Sequence, residues 1–284
     1  MIERPATFIF HGDLRELLGR GKARADGRVT YPVTRRTSVK DAIEALGPPH
    51  TEVGAIEIDG LAVGFGRLLE PGRRIDVRPV PAPFDVLRPS ALRSDPLPRI
   101  AFLVDANVGR LAGLLRALGF DTAHDQSLGD AALAELAARE GRILLSRDRL
   151  LLRRSIVDYG RLIRSHAPET QLIEVLRFFG LRPPFATFTR CLRCNAPLQT
   201  VSKAEIMDRL LPLTKLHYTD FRRCPRCDRI YWAGSHHERM HERVERIRRE
   251  LGGVDGRDGR NGPYGLHGRP IPGQGVPHAR RHRR

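Results

Sequence analysis

No stretch of this 284-residue chain approaches the ~18 consecutive apolar residues needed to cross a bilayer, so a helical membrane anchor is not expected. The opening Met1-Ile2-Glu3-Arg4-Pro5 also lacks a basic segment followed by a long apolar one, and the expected setting is cytoplasmic. Cysteine is scarce, four in all. In such a setting two Cys-x-x-Cys pairs point to a metal before they point to disulfides. Acid is outnumbered: Asp+Glu 33 against Lys+Arg 49 gives a net charge of +16, which favours a polyanionic partner, nucleic acid first, through phosphate contacts and counterion release. The alternative source of this charge is a general basic bias plus a charged tail. What is present suffices for folding: 40% hydrophobic residues and a length that accommodates two domains of ordinary size.

The first 80 residues have the pattern of a small mixed unit. Phe8-Ile9-Phe10 reads as a strand, and Val29, Tyr31 and Val33 alternate with polar neighbours as in a half-buried one. A helix follows, capped by Thr37 or Ser38, with Val39, Ala42, Ile43 and Leu46 on one face and Gly47-Pro48-Pro49 as its stop. Further strands are expected at Ala55–Ile58, Ala62–Val63 and Ile75–Val77, with Asp59-Gly60 as the turn between the first two. This order resembles a ubiquitin-like β-grasp domain. A sulfur carrier or modifier of that class ends in a flexible Gly-Gly tail, whereas here the last strand runs into Arg78-Pro79-Val80-Pro81, which argues against a carrier role. Pro79, Pro81, Pro83, Pro89, Pro96 and Pro98 then forbid a helix interior or central strand and mark a linker over 81–98.

From residue 99 the pattern alternates between strands and helices, which implies right-handed crossovers and a parallel sheet. Ile100-Ala101-Phe102-Leu103-Val104 and Ile143-Leu144-Leu145-Ser146 are apolar runs of the kind buried on both faces, and they lead to Asp105 and Asp148, 43 positions apart. Parallel sheets place their chemistry at the carboxyl ends of strands, so these two acids are expected in one crevice. Asp130, opening a helix, would approach the same edge. Phosphodiester hydrolysis needs an activated water and charge neutralisation, which Mg2+ or Mn2+ held by hard oxygen ligands can supply. Asp105, Asp130 and Asp148 are the candidate ligands, Asn107 could position water or metal, and Arg110, Arg147 and Arg149 could bind flanking phosphates. Ordinary roles exist for each: Asp130 after Gly129 can be a helix cap, Asp148 can open a turn or pair with a neighbouring Arg, and His124 can simply pack. Gly160–Ser165 fits a further strand, followed by a helix carrying Leu172, Ile173, Leu176 and Phe179.

Cys191-Leu192-Arg193-Cys194 and Cys224-Pro225-Arg226-Cys227, with 29 residues between, can fold four thiolates around a structural tetrahedral zinc. A redox pair would need only one such motif. The long gap implies an inserted helix at Lys203–Leu211. Four sulfur ligands leave no open position for catalysis. Tyr231-Trp232-Ala233-Gly234-Ser235-His236 follows. Its aromatics either complete the small core of this module or stack on bases. His237 and His241 lie one helical turn apart on a charged helix from His236 to Leu251. Over 252–284, seven Arg against two Asp leave a +5 tail, rich in Gly and Pro, that is expected to be disordered and to add affinity for a polyanion.

Taken together, Phe102-Leu103-Val104-Asp105-Ala106-Asn107, Leu118-Gly119-Phe120-Asp121-Thr122 and Ile143-Leu144-Leu145-Ser146-Arg147-Asp148-Arg149 resemble the PIN-like nuclease fold, and its Mut-seven-C branch in particular. In that family a zinc ribbon follows the PIN-like core, and in bacteria a ubiquitin-like domain often precedes it. All three parts stand here in that order, over roughly residues 5 to 248. The resemblance implies an α/β protein divided into a β-grasp domain (1–80), a linker (81–98), a PIN-like parallel sheet flanked by helices (99–186), a zinc ribbon with closing helix (187–251) and a basic tail (252–284). It matches Asp105, Asp130 and Asp148 to the metal-holding acids and Asn107 to a polar position beside the first, and it places His236 where it can approach the site or bind phosphate. The fourth acid of many PIN nucleases has no counterpart, since Gly160–Ser165 is followed by His166 and Ala167, and the number of metals stays open. The expected function is a metal-dependent ribonuclease with Mg2+ or Mn2+ for catalysis, structural Zn2+, and RNA as partner. The alternative is a noncatalytic RNA-binding or adaptor protein on the same fold. A phosphohydrolase of small molecules would leave the basic tail and the ribbon without a purpose.

Overall fold

Inward residues Ala6, Phe8 and Phe10 alternate with half-buried Thr7 and Ile9 in strand β1 (Ala6–Phe10), the period-two pattern of a sheet with one face in the core. The structure is a computed structural model, and it describes residues 4–19 and 26–252, apart from the side chains of Ser235, His236, His237 and Arg239. Strand β2 (Arg28–Tyr31) pairs antiparallel with β1. Helix α1 (Val39–Leu46) is capped by Ser38, whose hydroxyl accepts the Asp41 N–H at 3.1 Å, and it buries Val39, Ala42, Ile43 and Leu46. Gly47 ends it with φ 145°, where a Cβ would lie 2.2 Å from the Leu17 carbonyl oxygen. Strands β3 (Val53–Ile58) and β4 (Leu61–Ala62) are joined by Asp59 and Gly60, both at positive φ as a two-residue hairpin requires. Strand β5 (Arg74–Pro79) runs parallel to β1 at the centre of the order β2-β1-β5-β3-β4, which is the β-grasp arrangement.

A second, wholly parallel sheet follows, built from β6 (Ala101–Val104), β7 (Asp121–Ala123), β8 (Ile143–Ser146) and β9 (Gly160–Leu162) in the order β7-β6-β8-β9. The helices between them are α2 (Gly109–Ala117), α3 (Asp130–Glu140) and the short α4 (Arg149–Leu152), with α5 (Pro168–Phe178) after the last strand. Both faces are buried, as the unbroken apolar runs require. Phe102, Val104, Ile143 and Leu145 join the core with α2, α5 and the C-terminal helix (Ser235–Gly252), while Leu103, Leu144 and Leu162 join the core with α3, α4 and the β-grasp unit. Strand β9 stops earlier than the expected Gly160–Ser165. The Glu174 carboxylate accepts the Arg164 and Ser165 N–H groups at 3.1 and 3.0 Å and draws the backbone off the ladder.

Because the β8-to-β9 crossover carries only the four-residue α4, the face beside β9 is covered by the β-grasp unit instead. Its turn His50–Glu52 packs against β9, and Glu52, 1% exposed at its side chain, pairs with Arg161 at 2.6 Å and accepts the Leu162 N–H at 2.9 Å. Burial pushes the Glu52 carboxyl upward, and the Arg161 charge and Leu162 N–H oppose that push. The proline-rich segment is itself packed: Val86 is buried, and Arg93 donates to the carbonyls of Val53, His50, Thr51 and Asp158 while lying over the rings of Phe84 and Tyr159. Removing one member of a buried ion pair strands the other charge. Glu52→Ala should therefore destabilise the protein by about 3 kcal/mol in denaturant unfolding, whereas a value near zero would mean that Arg161 finds water.

The last sheet is antiparallel, β10 (Gln199–Val201), β11 (Phe221–Arg223) and β12 (Ile230–Trp232). The insert expected as one helix over Lys203–Leu211 is instead a 3-10 segment Ala204–Arg209 followed by α6 (Pro212–His217). Pro212 disfavours helical backbone at Leu211, which is extended at ψ 153°, and itself opens the next helix. Helix α7 (Ser235–Gly252) then returns to bury Val244, Ile247 and Leu251 beside α5. The expected tail beyond Gly252 lies outside the described residues. Among those residues no helix is long and apolar enough to cross a membrane.

Candidate functional site

Four strand ends meet along one edge of the parallel sheet. Asp105 follows β6, 8% exposed, and its Oδ1 accepts the Ala106 N–H at 2.5 Å. Its Oδ2 accepts from the Asn107 amide and the Ser146 hydroxyl, both at 2.6 Å. Ser146, the last residue of β8, also accepts the Asp148 N–H at 2.9 Å, and the Asn107 Oδ1 accepts the Arg147 N–H at 3.1 Å. These bonds tie the ends of β6 and β8 together and hold the Asp105 carboxylate in one orientation. Asp148 caps α4 through Oδ1, which accepts the Leu150 N–H at 2.7 Å, and its other oxygen has no partner among the described residues. Sequence reasoning did not single out Ser146. Its position directly before Arg147-Asp148 was the available signal.

Asp130 opens α3 after Gly129, and its exposed carboxylate does not cap the helix and has no partner among the described residues. The three aspartates do not form a tight cage. Among the described residues, the four cysteines alone make a group of three or more His, Cys, Asp or Glu ligands with all donor atoms within 4.8 Å of one another. Of the expected phosphate binders, Arg110 is exposed on α2. Arg147 lies against the His166 ring nitrogens at 2.9 and 3.3 Å. Arg149 donates to the Leu17 carbonyl at 2.8 Å and is thereby spent on the β-grasp contact. Arg164, beyond β9, pairs with Asp13 at 3.0 Å and Glu16 at 3.2 Å, so β-grasp carboxylates stand at the rim of this edge. His124 packs over Gly109 and contacts the Val104 carbonyl through Nδ1 at 2.8 Å. The side chain of His236 lies outside the described residues, as does that of His237.

The cysteine pairs close on one point. Cys191 and Cys227 sulfurs are 3.5 Å apart and those of Cys194 and Cys224 3.3 Å, close to the edge of about 3.8 Å of a tetrahedron with Zn–S bonds of about 2.3 Å. Burial raises the Cys191 thiol, but hydrogen bonds from Tyr231 and nearby N–H groups outweigh this and bring it to about 6, while burial raises Cys194 to about 12. Four sulfurs this close cannot all ionise without a cation among them. The donor set therefore fits zinc, as a closed structural site. Tyr231 serves this site: its hydroxyl lies 3.1 Å from the Cys191 sulfur and accepts the Leu192 N–H at 3.1 Å. Trp232 rests on Phe221 with ring centroids 6.4 Å apart, so both aromatics complete the module.

The first knuckle is fastened to the parallel sheet. Arg116, buried, donates to the carbonyls of Thr122, Leu192 and Arg193, and Asn195 links the Thr122 N–H to the Asp121 carboxylate. Burial pushes the Asp121 carboxyl up, but hydrogen bonds from Arg142 and Asn195 prevail and hold it below the ordinary range.

The Mut7-C RNAse domain family matches residues 100–244, and the Mut7-C ubiquitin family matches residues 4–85. No curated protein and no solved structure matches the chain.

Proposed function

Since the chain belongs to the Mut7-C RNAse domain family, with the Mut7-C ubiquitin domain ahead of it, we propose that it is a metal-dependent ribonuclease acting at the edge marked by Asp105 and Asp148. The observation that carries this reading is the bonded set Asp105, Asn107, Ser146 and Asp148, which fixes one nearly buried carboxylate beside another that keeps an oxygen free. Mg2+ keeps several waters and is commonly bound through one or two carboxylates plus phosphate oxygens, so a few hard oxygens outside a closed cage fit a partly hydrated ion. Such an ion, when bound, lowers the pKa of a water and neutralises charge on the phosphate.

The chain's own residues supply position and charge. Asp105 and Asp148 at the strand ends, together with Asp130 at the start of α3, would hold the ion. Asn107 and Ser146 donate to Asp105 and keep it from rotating, and Arg110 and Arg147 offer guanidinium groups to the RNA backbone on either side. The zinc ribbon holds a second wall next to β7. The division into units 1–80, 81–98, 99–186, 187–251 and 252–284 belongs to the same proposal, as does the cytoplasmic setting.

Labelled single-stranded and hairpin RNA incubated with Mn2+ or Mg2+ should be cleaved, and cleavage should stop when the divalent ion is withheld while zinc stays bound. Cleavage that persists without Mn2+ or Mg2+ would exclude this mechanism. Binding without cleavage under all conditions would favour the noncatalytic RNA-binding or adaptor protein.

A further inference from the structure

Between the zinc ribbon and the parallel sheet lies a cleft of about 520 Å3. Its floor is Leu103 and Ala123 of β6 and β7, one wall is Glu140 of α3, and the facing wall is formed by Arg193 and Arg226 of the two knuckles. At one end stands His124, whose ring is bonded to the carbonyl of Val104, the residue before Asp105. His124 and Asp125 follow β7, so one end of the cleft reaches the carboxyl-end edge of the sheet, where Asp105 follows β6, while Glu140 and Arg142 line it at the opposite edge.

Its charged groups divide into committed and free. Arg142 is held by Asp121 at 2.7 Å and Glu140 at 2.6 Å, Arg116 is spent on three carbonyls, and Asp125 accepts the Ser127 N–H and hydroxyl. Arg193 and Arg226, both exposed, have no carboxylate or carbonyl partner for their guanidinium groups among the described residues. They occupy the same third position in Cys191-Leu192-Arg193-Cys194 and Cys224-Pro225-Arg226-Cys227, so the pseudo-symmetry of the two knuckles delivers both to the mouth of the cleft. Of the four lining arginines, Arg116 faces the cysteine cluster and Arg142 is held by Asp121 and Glu140, which leaves Arg193 and Arg226 against the exposed Asp125. Zinc with four thiolates carries a formal charge of −2, and the buried Arg116 already faces Cys191 and Cys194. Two exposed guanidinium groups with no anion of their own, in a polar cleft of this size, suit phosphate oxygens.

We propose that this cleft is a binding track for the backbone of single-stranded RNA, with Arg193 and Arg226 each on a phosphate, leading the strand toward Asp105. That the phosphates belong to RNA rests on the ribonuclease reading; the anion preference rests on the cleft itself.

The test uses full-length, zinc-loaded protein carrying Asp105→Asn, so that bound RNA stays intact, and a fluorescent oligouridine as probe in a salt titration. Each phosphate contact on a single strand contributes about 0.7 to the slope of log affinity against log salt, so Arg193→Ala/Arg226→Ala should flatten the slope by about 1.4 and weaken binding by about tenfold at 0.1 M salt. Arg193→Lys/Arg226→Lys should restore most of the slope, and the exposed pair Arg35→Ala/Arg36→Ala should leave it unchanged, with zinc content equal in all variants. An unchanged slope in the knuckle variant, an equal effect of both alanine pairs, or no binding of the probe overturns the proposal. Cleavage by the wild-type chain, measured alongside, separates the two readings. Cleavage with an unchanged slope removes the track alone, and a flattened slope without cleavage removes the nuclease and keeps the track.

Discussion

Asp105→Asn should bind RNA and fail to cut it. Losing the carboxylate proposed to hold the ion should remove several kcal/mol of transition-state stabilisation, and about 4 kcal/mol corresponds to a rate lower by a factor of about 10^3. Affinity for RNA should hold or rise slightly, because a negative charge has been removed from the path of a polyanion. The substitution is not silent for the fold. An asparagine amide can keep the Asn107 and Ser146 bonds through its oxygen, but its nitrogen then faces the Ala106 N–H, a donor against a donor. Asp148→Asn avoids that conflict, since its oxygen can still cap Leu150, and it should lose cleavage with little change in melting temperature. Wild-type activity that survives in both variants would locate catalysis elsewhere. Binding without turnover by the wild-type chain would identify an adaptor.

Cys191→Ser should release the zinc and unfold the ribbon. The buried apolar cluster of that module is Val201, Ile206, Leu210 and Phe221 with Tyr218 and Ile230 packed against it, too small to offset chain entropy by itself, so the module is expected to need the metal for its order. Apparent zinc-binding free energies of structural sites are on the order of 10 kcal/mol or more at neutral pH, which exceeds what four buried side chains supply. Hydrogen exchange should show protection lost over residues 190–232, while β1 to β5 stay protected. The damage should also reach α2, because Arg116 would lose two of its three carbonyl acceptors. Full protection in a zinc-free variant would mean that the ribbon folds without metal. The same experiment bears on the RNA track, since Arg193 and Arg226 keep their positions only while the knuckles do.

The local sequence determined a great deal. The apolar run Phe8-Ile9-Phe10 located β1, period-two alternation located β2, the Asp59-Gly60 pair set the β3–β4 hairpin, and the Cys-x-x-Cys spacing picked out four sulfurs that cluster as candidate metal donors, because each of these signals lies within a few neighbouring residues. Unbroken apolar runs marked β6 and β8 as buried on both faces, and Asp105 and Asp148 stand at their carboxyl ends. The long-range partners were decided only in three dimensions. Nothing near Glu52 in the chain reveals Arg161, 109 residues away, and Arg93 sits in a proline-rich segment that composition marks as a linker, yet it bridges both units. Ser146 drew no attention as one polar residue closing a strand, and the register of β6 on β8 brought it to Asp105. The placement of α3 left Asp130 outside a tight cage with the other two acids, and the fastening of the first knuckle by Arg116 set Arg193 and Arg226 along a cleft. The physical reason is that periodicity and turn chemistry are properties of neighbours in the chain. Charge pairing and hydrogen-bond satisfaction depend on which groups the packed sheet faces exclude from water, and only the tertiary fold selects those.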